Sequence, residues 1–219
     1  VFFVPDGSGM VASMFEYDLV LVRVDSLARV WGTIFHIAAF IAALYALHLK
    51  DDVQQIAAFL YAGSAIGAVF AGDWITLFVY WELTAITSVW LVWASGTERA
   101  IRAGVRYLIV QVGSGVLLLA GVILHVRQTG SLEFTNLGGV NDAASLLIFV
   151  AMGIKAAFPF LHNWLEDAYP EATVTGTVWL STFTTKLAIY GLARAFPGEA
   201  LLIPIGAAMT AFPIFFAVI

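Results

Sequence analysis

Long apolar runs dominate the sequence. Each covers roughly 18 to 22 residues, the length that an α-helix needs to cross about 30 Å of hydrocarbon. They lie at about residues 27–48, 54–71, 74–94, 105–126, 143–162, 175–195 and 200–219. A membrane barrel strand alternates apolar and polar residues over about ten positions, and only DLVLVRVD, residues 18–25, suggests that pattern. The sequence therefore predicts an all-α integral membrane protein, a polytopic helical bundle of about seven membrane segments.

The first residues differ from the rest of the chain. Turn formers at positions 5–9, PDGSG, precede the alternating stretch, which favours a small hairpin or loop outside the membrane. We therefore divide the chain into an extramembrane segment, residues 1–24, and a transmembrane helical bundle, residues 25–219. Residues 95–106, SGTERAIRAGVR, carry three arginines against one glutamate. The positive-inside rule places this connection in the cytoplasm and the amino-terminal segment outside.

Composition excludes several functional classes. Of the 219 residues, 61% are hydrophobic and 11% are charged, and the formal net charge of −5 provides no basic surface for nucleic acid. The absence of cysteine excludes disulfides, CxxC redox chemistry and thiolate metal ligands. The four histidines are scattered without metal-ligand spacing. No residues meet the nucleophile–base test of an enzyme, so we expect no metal, no cofactor and no catalytic residue.

Three ionisable residues lie deep inside apolar runs: Glu82 in WITLFVYWELTAITSVWLVWA, Lys155 in ASLLIFVAMGIKAAFPFL and Lys186 in GTVWLSTFTTKLAIYGLA. A charge near mid-membrane is costly, so it usually faces a partner or a hydrated cavity and marks an ion or proton path. A lysine ammonium beside Glu82 favours the ionised carboxylate, and its withdrawal favours the protonated form. The alternative is a static ion pair that joins two helices, although such pairs are poor stabilisers.

A proline lies one turn after Lys155. Pro159 cannot donate the backbone hydrogen bond that the Lys155 carbonyl accepts in a continuous helix. We therefore expect the helix to break here and to present backbone groups to a water-filled cavity, as in the broken helices of transporters. His162, at the inner end of the same segment, is a candidate proton relay because imidazole titrates near neutrality. An interfacial hydrogen bond is the alternative role for His162.

Lys186 follows a hydroxyl-rich stretch. Thr182 lies one turn before it, and Thr175 lies further along the same stripe, which indicates a hydrated path along the helix. In the competing interpretation, the threonines bond to carbonyl groups of their own helix and Lys186 extends to the membrane interface. A full extension is difficult, because Lys186 lies about eleven residues into its segment.

The region around these residues resembles a known family. The run MGIKAAFPFLHNWLEDAYPEATVTGTVWLSTFTTKLAIYGLAR is similar to the signature region of the large antiporter-like membrane subunits. These subunits occur in Mrp-type multisubunit cation/proton antiporters, respiratory complex I and membrane-bound hydrogenases. The matching positions are Lys155, Pro159, His162 with Trp164 and Leu165, the acidic loop from Glu166 to Pro170, and Lys186. VYWELTAITSVWL, with Glu82, also looks like the family's glutamate helix, and Asp25 resembles the aspartate before its third helix.

The resemblance implies roles for these residues. Glu82 and Lys155 would form the modulating pair, and Lys186 would be the central proton carrier. Family members have about fourteen membrane helices with two inverted five-helix repeats, so the chain would hold the third to the ninth helix. The first repeat would occupy about residues 54–195, and the second repeat would be absent. Because the chain has no initial methionine and ends inside an apolar run, we expect a fragment of a longer protein.

One hypothesis and two alternatives follow. The hypothesis is a proton-conducting subunit of a multisubunit monovalent cation (Na+)/proton antiporter, a multi-pass protein of the inner (plasma) membrane and not an enzyme. Its partners would be other membrane subunits, protons, Na+ and the lipid bilayer. Hydroxyls from Ser181 to Thr185, where some members carry a histidine, favour the D-like branch of the Mrp antiporter proteins. The alternatives are a proton-pumping subunit of a complex I-like oxidoreductase or hydrogenase, and a structural scaffold whose charges only pair helices.

Overall fold

A computed structural model describes residues 4–14 and 17–218, without the side chains of Ser8 and of residues 212–218. Two strands come first, followed by helices. The strands are β1 (Gly7–Met14) and β2 (Tyr17–Val24). The helices are α1 (Ser26–Tyr45), α2 (Asp52–Phe70), α3 (Trp74–Trp93), α4 (Glu98–Thr129), α5 (Ala143–Ala156), α6 (Asn163–Ala168), α7 (Val174–Ala195) and α8 (Leu202–Val218), with a 3₁₀ turn at Tyr169–Glu171.

Short polar side chains set where the helices begin. An aspartate or threonine precedes each of six helices, and its side-chain oxygen accepts a hydrogen bond from a first-turn amide. These N-caps are Asp25, Asp51, Asp73, Thr97, Asp142 and Thr173. Each cap satisfies a donor that the helix leaves open and contributes about 1 kcal/mol. Because the caps stand at the edges of apolar runs, they fix where each run becomes helical.

The helices differ in how well they could cross a membrane. Within the described residues, four are long and apolar enough by length and composition: α1, α2, α3 and α4. The 14-residue α5 is shorter than a full span, so the helix predicted over residues 143–162 ends earlier, at Ala156. The predicted total of seven segments therefore stays a prediction. The last predicted segment contains residue 219, which lies outside the described part of the chain.

The two strands form an antiparallel hairpin, with Gly7 opposite Val24 and Met14 opposite Tyr17. The amide of Gly72 donates to the Val20 carbonyl at 2.9 Å, which attaches β2 to the connection between α2 and α3. The predicted extramembrane segment, residues 1–24, includes residues 1–3, 15 and 16, which lie outside the described residues. Its position relative to the membrane remains a prediction.

The connections gather at two opposite ends of the bundle. At the end with the hairpin, Trp74 donates to the Leu132 carbonyl at 2.9 Å, and Leu137 donates to the Ala195 carbonyl at 2.8 Å. At the other end, Arg99 pairs with Glu171 at 2.7 Å. Successive helices therefore run in alternating directions, as an up-and-down bundle requires. The assignment of the Arg99 end to the cytoplasm stays a prediction.

Helix α7 lies at the centre of the fold, in contact with α1, α2, α3 and α5. Phe183 packs its ring edge-on against Phe35, with centroids 5.3 Å apart, and against Tyr61, with centroids 5.4 Å apart. All three rings are buried. Edge-to-face packing of this kind adds to the stabilisation from burial, so α7 holds its polar residues in a rigid apolar frame.

Candidate functional site

The chain leaves helical geometry directly after α5. Ala157 adopts a left-handed conformation, with φ of 63°. Its amide donates to Ile154 at 3.1 Å, and the next amide, of Phe158, donates to Gly153 at 2.9 Å. This bonding is the Schellman pattern, in which glycine usually holds the left-handed position. The break is therefore present, two residues before Pro159, and an alanine makes the turn.

Lys155 lies in the last turn of α5 and is fully buried. Its Nζ donates to the Trp81 carbonyl at 2.9 Å and to the Thr84 hydroxyl at 3.0 Å. The ammonium also lies 4.5 Å from the centroid of the Trp81 ring, in range for a cation–π interaction. These contacts attach the end of α5 to α3 beside Glu82.

Glu82 points towards α4. A Cβ added at Gly115 would clash with the Glu82 carboxylate, so the absence of a side chain at Gly115 makes room for it. Oε1 of Glu82 is buried and has no hydrogen-bond partner among the residues that the structure describes. Among the described residues, no ion pair within 4.0 Å joins this carboxylate to Lys155. Lys155 of α5 contacts Trp81 and Thr84 of α3, which lie on either side of Glu82 in the sequence, and its ammonium is not in direct contact with the Glu82 carboxylate.

A cavity of about 480 Å³ opens beside the break. Lys186 of α7 lines it together with Pro159, His162 and Glu166. Nε2 of His162 lies 3.3 Å from Oε1 of Glu166. Nζ of Lys186 donates to the Ser181 carbonyl at 2.6 Å. The structure thus brings three of the predicted site residues, Pro159, His162 and Lys186, to one cavity, while Lys155 and Glu82 lie within the bundle.

In the structure, the hydroxyls of the predicted stripe along α7 make separate contacts. Thr182 donates to the carbonyl of Val178 in its own helix at 2.7 Å, as the competing interpretation predicts. Thr175 accepts a hydrogen bond from Gln54 of α2 at 2.7 Å, so its hydroxyl ties two helices together. Thr185 lines the cavity beside Lys186. The placement of Thr182 does not favour a role in the proton path, and that role stays a prediction.

Several residues that support the buried charges carry no signal in the sequence. Nε1 of Trp81 donates to Ser114 at 3.0 Å, and Ser114 donates to the Ala151 carbonyl of α5 at 3.0 Å. With Gly115 beside it, Ser114 connects α3, α4 and α5 around Lys155. Serine and glycine are common where membrane helices pack closely, so neither residue type could identify this contact in advance.

A second polar group ties α7 to the hairpin end of the bundle. Arg194 forms two hydrogen bonds with Asp25, at 2.7 and 2.8 Å, and Arg23 lies 3.5 Å from the same carboxylate. Burial acts to raise the pKa of Asp25, but the hydrogen bonds from Arg194 and from the Ala28 amide outweigh it and hold this pKa below its ordinary value. The sequence singles out Asp25 but gives no sign of its partner Arg194.

Fold and site together define a class: a polytopic membrane protein of alternating helices that holds ionisable side chains inside its bundle beside a broken helix. Residues 71–219 match the family described as NADH:quinone oxidoreductase/Mrp antiporter, TM. The chain therefore belongs to this family of Mrp antiporter, complex I and hydrogenase membrane subunits.

Individual relatives agree with this membership. The chain is 25% identical to Hydrogenase-4 component B of Escherichia coli, over 84% of the chain and 29% of that protein. It is 27% identical to the D subunit of the Na(+)/H(+) antiporter of Alkalihalophilus pseudofirmus, over 88% of the chain and 39% of that protein. A chain in the structure of the Mrp complex from a Dietzia species superposes with a TM-score of 0.71 at 26% identity, covering 81% of this chain and 36% of that one. The chain thus spans only about a third of the length of these relatives.

Proposed function

We propose that the chain is the proton-conducting part of a membrane subunit in a multisubunit monovalent cation (Na+)/proton antiporter. The observation that carries the proposal is the environment of Lys155. This lysine is fully buried at the end of a broken helix and is bonded to α3 next to Glu82. A buried ionisable group that lies beside a second one on a neighbouring helix has the elements of a proton switch.

The proposed path has two stages. A proton reaches the cavity beside His162 and Glu166 and is taken up by Lys186, which lines the same cavity. It moves on when Lys155 approaches or leaves Glu82, because a nearby ammonium favours the ionised carboxylate and its withdrawal favours the protonated form. Hydroxyl groups and water bridge the intervals. The separation of Lys155 from Glu82 corresponds to the state of this switch in which the ammonium is withdrawn and the protonated carboxyl is favoured.

Two other functions remain as alternatives. The relation to Hydrogenase-4 component B favours a proton-pumping subunit of a complex I-like oxidoreductase or hydrogenase, in which redox chemistry elsewhere drives the same path. The other alternative is a structural scaffold. Under this alternative, we expect that the buried charges can be neutralised without loss of function. The hydroxyl-rich stretch before Lys186 and the relation to the D subunit of an Na(+)/H(+) antiporter support the antiporter, in the plasma membrane and with other membrane subunits as partners.

The test measures dissipation of a pH gradient in inverted membrane vesicles that contain the complete parent complex. Glu82→Gln, Lys155→Met and Lys186→Met each remove a charge at nearly constant volume. Lys50→Met, in the exposed connection between α1 and α2, is the matched control. We expect loss of cation-driven proton movement in the three variants at matched assembly, and unchanged movement in the control. Retained movement in all three would assign the charges to a structural role.

A further inference from the structure

Gln111 of α4 is a fully buried glutamine whose amide makes no hydrogen bond to the residues that the structure describes. Neither Oε1 nor Nε2 has a partner among them, and the side chain is 0% exposed. A buried amide is normally hydrogen-bonded, because its transfer out of water otherwise costs free energy. An apolar side chain such as leucine or methionine would fill a similar volume without that cost. Packing alone therefore gives no reason for a glutamine at this position.

Two contacts between side chains place Gln111 on the face of α4 that packs against α3. Nε1 of Trp81 donates to the Ser114 hydroxyl at 3.0 Å, and the Tyr107 hydroxyl lies 2.7 Å from the Ser88 hydroxyl. On α4, Gln111 follows Tyr107 by four residues and precedes Ser114 by three. Residues at this spacing share one face of a helix. Gln111 therefore lies between the two contacts and faces α3.

The residue of α3 at the matching position is Thr84. It follows Trp81 by three residues and precedes Ser88 by four, which mirrors the spacing on α4. Because α3 and α4 run in opposite directions, Thr84 and Gln111 lie at the same level of the bundle. The Thr84 hydroxyl accepts a hydrogen bond from Nζ of Lys155 at 3.0 Å. Gln111 is thus at the level of the Lys155 ammonium.

The packing of α5 against α4 gives the same placement. Ser114 of α4 donates to the Ala151 carbonyl of α5 at 3.0 Å. Gln111 lies one turn before Ser114, and Lys155 lies one turn after Ala151. Since α4 and α5 run in opposite directions, these two steps lead towards the same end of the bundle. Two independent helix contacts therefore bring Gln111 and Lys155 to one level.

The Glu82 carboxylate lies one turn away along the same face of α4. It occupies the space beside Gly115, where an added Cβ would clash with it, and Gly115 follows Gln111 by four residues. Oε1 of Glu82 is also buried without a partner among the described residues. The Lys155 ammonium has three N–H groups and uses two of them for its hydrogen bonds to α3. Side chains from α3, α4 and α5 thus retain hydrogen-bonding capacity in one buried region.

We propose that Gln111 is a positioning residue of the Lys155–Glu82 switch, and that its amide bridges the two charges when they approach each other. Oε1 accepts from the ammonium and Nε2 donates to the carboxylate, so one neutral side chain serves both partners. No proton passes through Gln111. In the separated arrangement the ammonium is bonded to α3 instead, and the amide is unpaired. The inference rests on the proposed function, because it concerns the same switch.

The test replaces the amide with an apolar side chain of similar length, Gln111→Met, in the complete complex. We expect proton flux per assembled complex in inverted vesicles to fall by about tenfold, because poor positioning of a reacting group has a large effect on rate. The midpoint of thermal unfolding in detergent should stay the same or rise, because the substitution removes a buried amide that has no partner among the described residues. Lower flux without lower stability distinguishes positioning from a structural role.

Gln54→Met is the matched control. Gln54 of α2 is also a buried glutamine, 2% exposed. Its Nε2, however, donates to the hydroxyls of Thr173 and Thr175, both at 2.7 Å. Its replacement leaves buried polar groups unpaired, so it should lower the thermal midpoint. Flux per assembled complex should stay at the parent value, which is the opposite pattern to that of Gln111→Met.

Two results would overturn the positioning role. Parent flux in Gln111→Met, whatever its stability, would show that the amide is not required. A fall in flux that accompanies a lower thermal midpoint would assign Gln111 to packing. Lys155→Met separates this inference from the proposed function. If Lys155→Met loses flux while Gln111→Met retains it, only the inference fails, whereas retained flux in Lys155→Met refutes the proposed function itself.

Discussion

A single glycine determines where the Glu82 carboxylate can lie. Gly115→Ala would place a methyl group where the Glu82 carboxylate now lies, so the carboxylate would have to move. We expect proton flux to fall between roughly tenfold and a hundredfold, because small displacements of a reacting group have large effects on rate. The measurement is flux per assembled complex in inverted vesicles.

Gly113→Ala is the matched control for this substitution. It lies two residues away in α4, and a Cβ added there meets no atom within 4 Å. Its flux should equal that of the parent, and its stability should rise slightly because alanine favours a helix. Equal flux in both variants would show that the position of Glu82 against Gly115 is not required for transport.

Ala157 provides a second prediction at the residue scale. Its left-handed conformation, with φ of 63°, costs an L-residue energy that glycine avoids. We expect Ala157→Gly to stabilise the protein by about 0.5–1 kcal/mol, after allowance for the greater freedom of glycine in the unfolded chain. The midpoint of thermal unfolding in detergent measures this. Ala156→Gly, one residue earlier in helical geometry, should lower the midpoint instead, and a rise in both variants would contradict this account of the break.

At the scale of elements, the Asp25–Arg194 contact joins the start of α1 to the end of α7. Asp25→Asn removes the charge and keeps the shape. We expect a loss of roughly 1–2 kcal/mol at neutral pH, a value reduced for the partial exposure of Asp25. The midpoint of thermal unfolding again provides the measurement. Glu98→Gln, which breaks the exposed Glu98–Arg102 pair of α4, should change the midpoint much less.

The same contact predicts a pH dependence. Because the pKa of Asp25 is lower in the folded protein than in the unfolded chain, the contact contributes fully above the unfolded value and is lost as the pH falls through the folded value. An ordinary aspartate titrates at about pH 4, so the loss belongs below that pH. The difference in thermal midpoint between the parent and Asp25→Asn should therefore shrink on acidification from pH 7 to about pH 3. A constant difference would show that Asp25 is not held ionised by Arg194.

The elements also show what the sequence could predict. Apolar run length and capping residues such as Asp73 and Thr97 indicate the helices α1 to α4 well, because both signals are local. Pro159 indicates a broken helix, but the turn begins at Ala157, whose left-handed conformation depends on the Schellman bonds of the folded chain. Lys155 and Glu82 are recognisable as charges in apolar runs. Their separated arrangement could not be foreseen, because it depends on the Trp81 carbonyl and the space at Gly115, which arise only when the helices pack.

In the molecule as a whole, α7 connects the polar groups that lie at different depths. Thr184 in its first half bonds to Tyr61 of α2, Lys186 near its middle lines the cavity, and Arg194 in its last turn binds Asp25. A shift of this helix would change all three environments together, since it packs against α1, α2, α3 and α5. Members of the family are subunits of larger complexes. Under the proposed function, a shift of α7 would therefore provide a means of coupling to other subunits.

The orientation of the bundle gives the last prediction. Helix α4 has 32 residues and is about 48 Å long at 1.5 Å per residue, so both of its ends extend past a hydrocarbon core of about 30 Å. These 219 residues contain no cysteine, so labelling above that of the parent protein reports the introduced thiol. Glu98→Cys and Gln128→Cys are exposed positions near opposite ends of this helix. A membrane-impermeant maleimide should label Gln128→Cys in intact cells and Glu98→Cys only in inverted vesicles, because the arginines at 99, 102 and 106 favour the cytoplasm. The reverse pattern would invert the proposed topology and place the cavity of His162 and Lys186 towards the outer surface. Labelling of both cysteine variants from one side would show that α4 does not span the membrane.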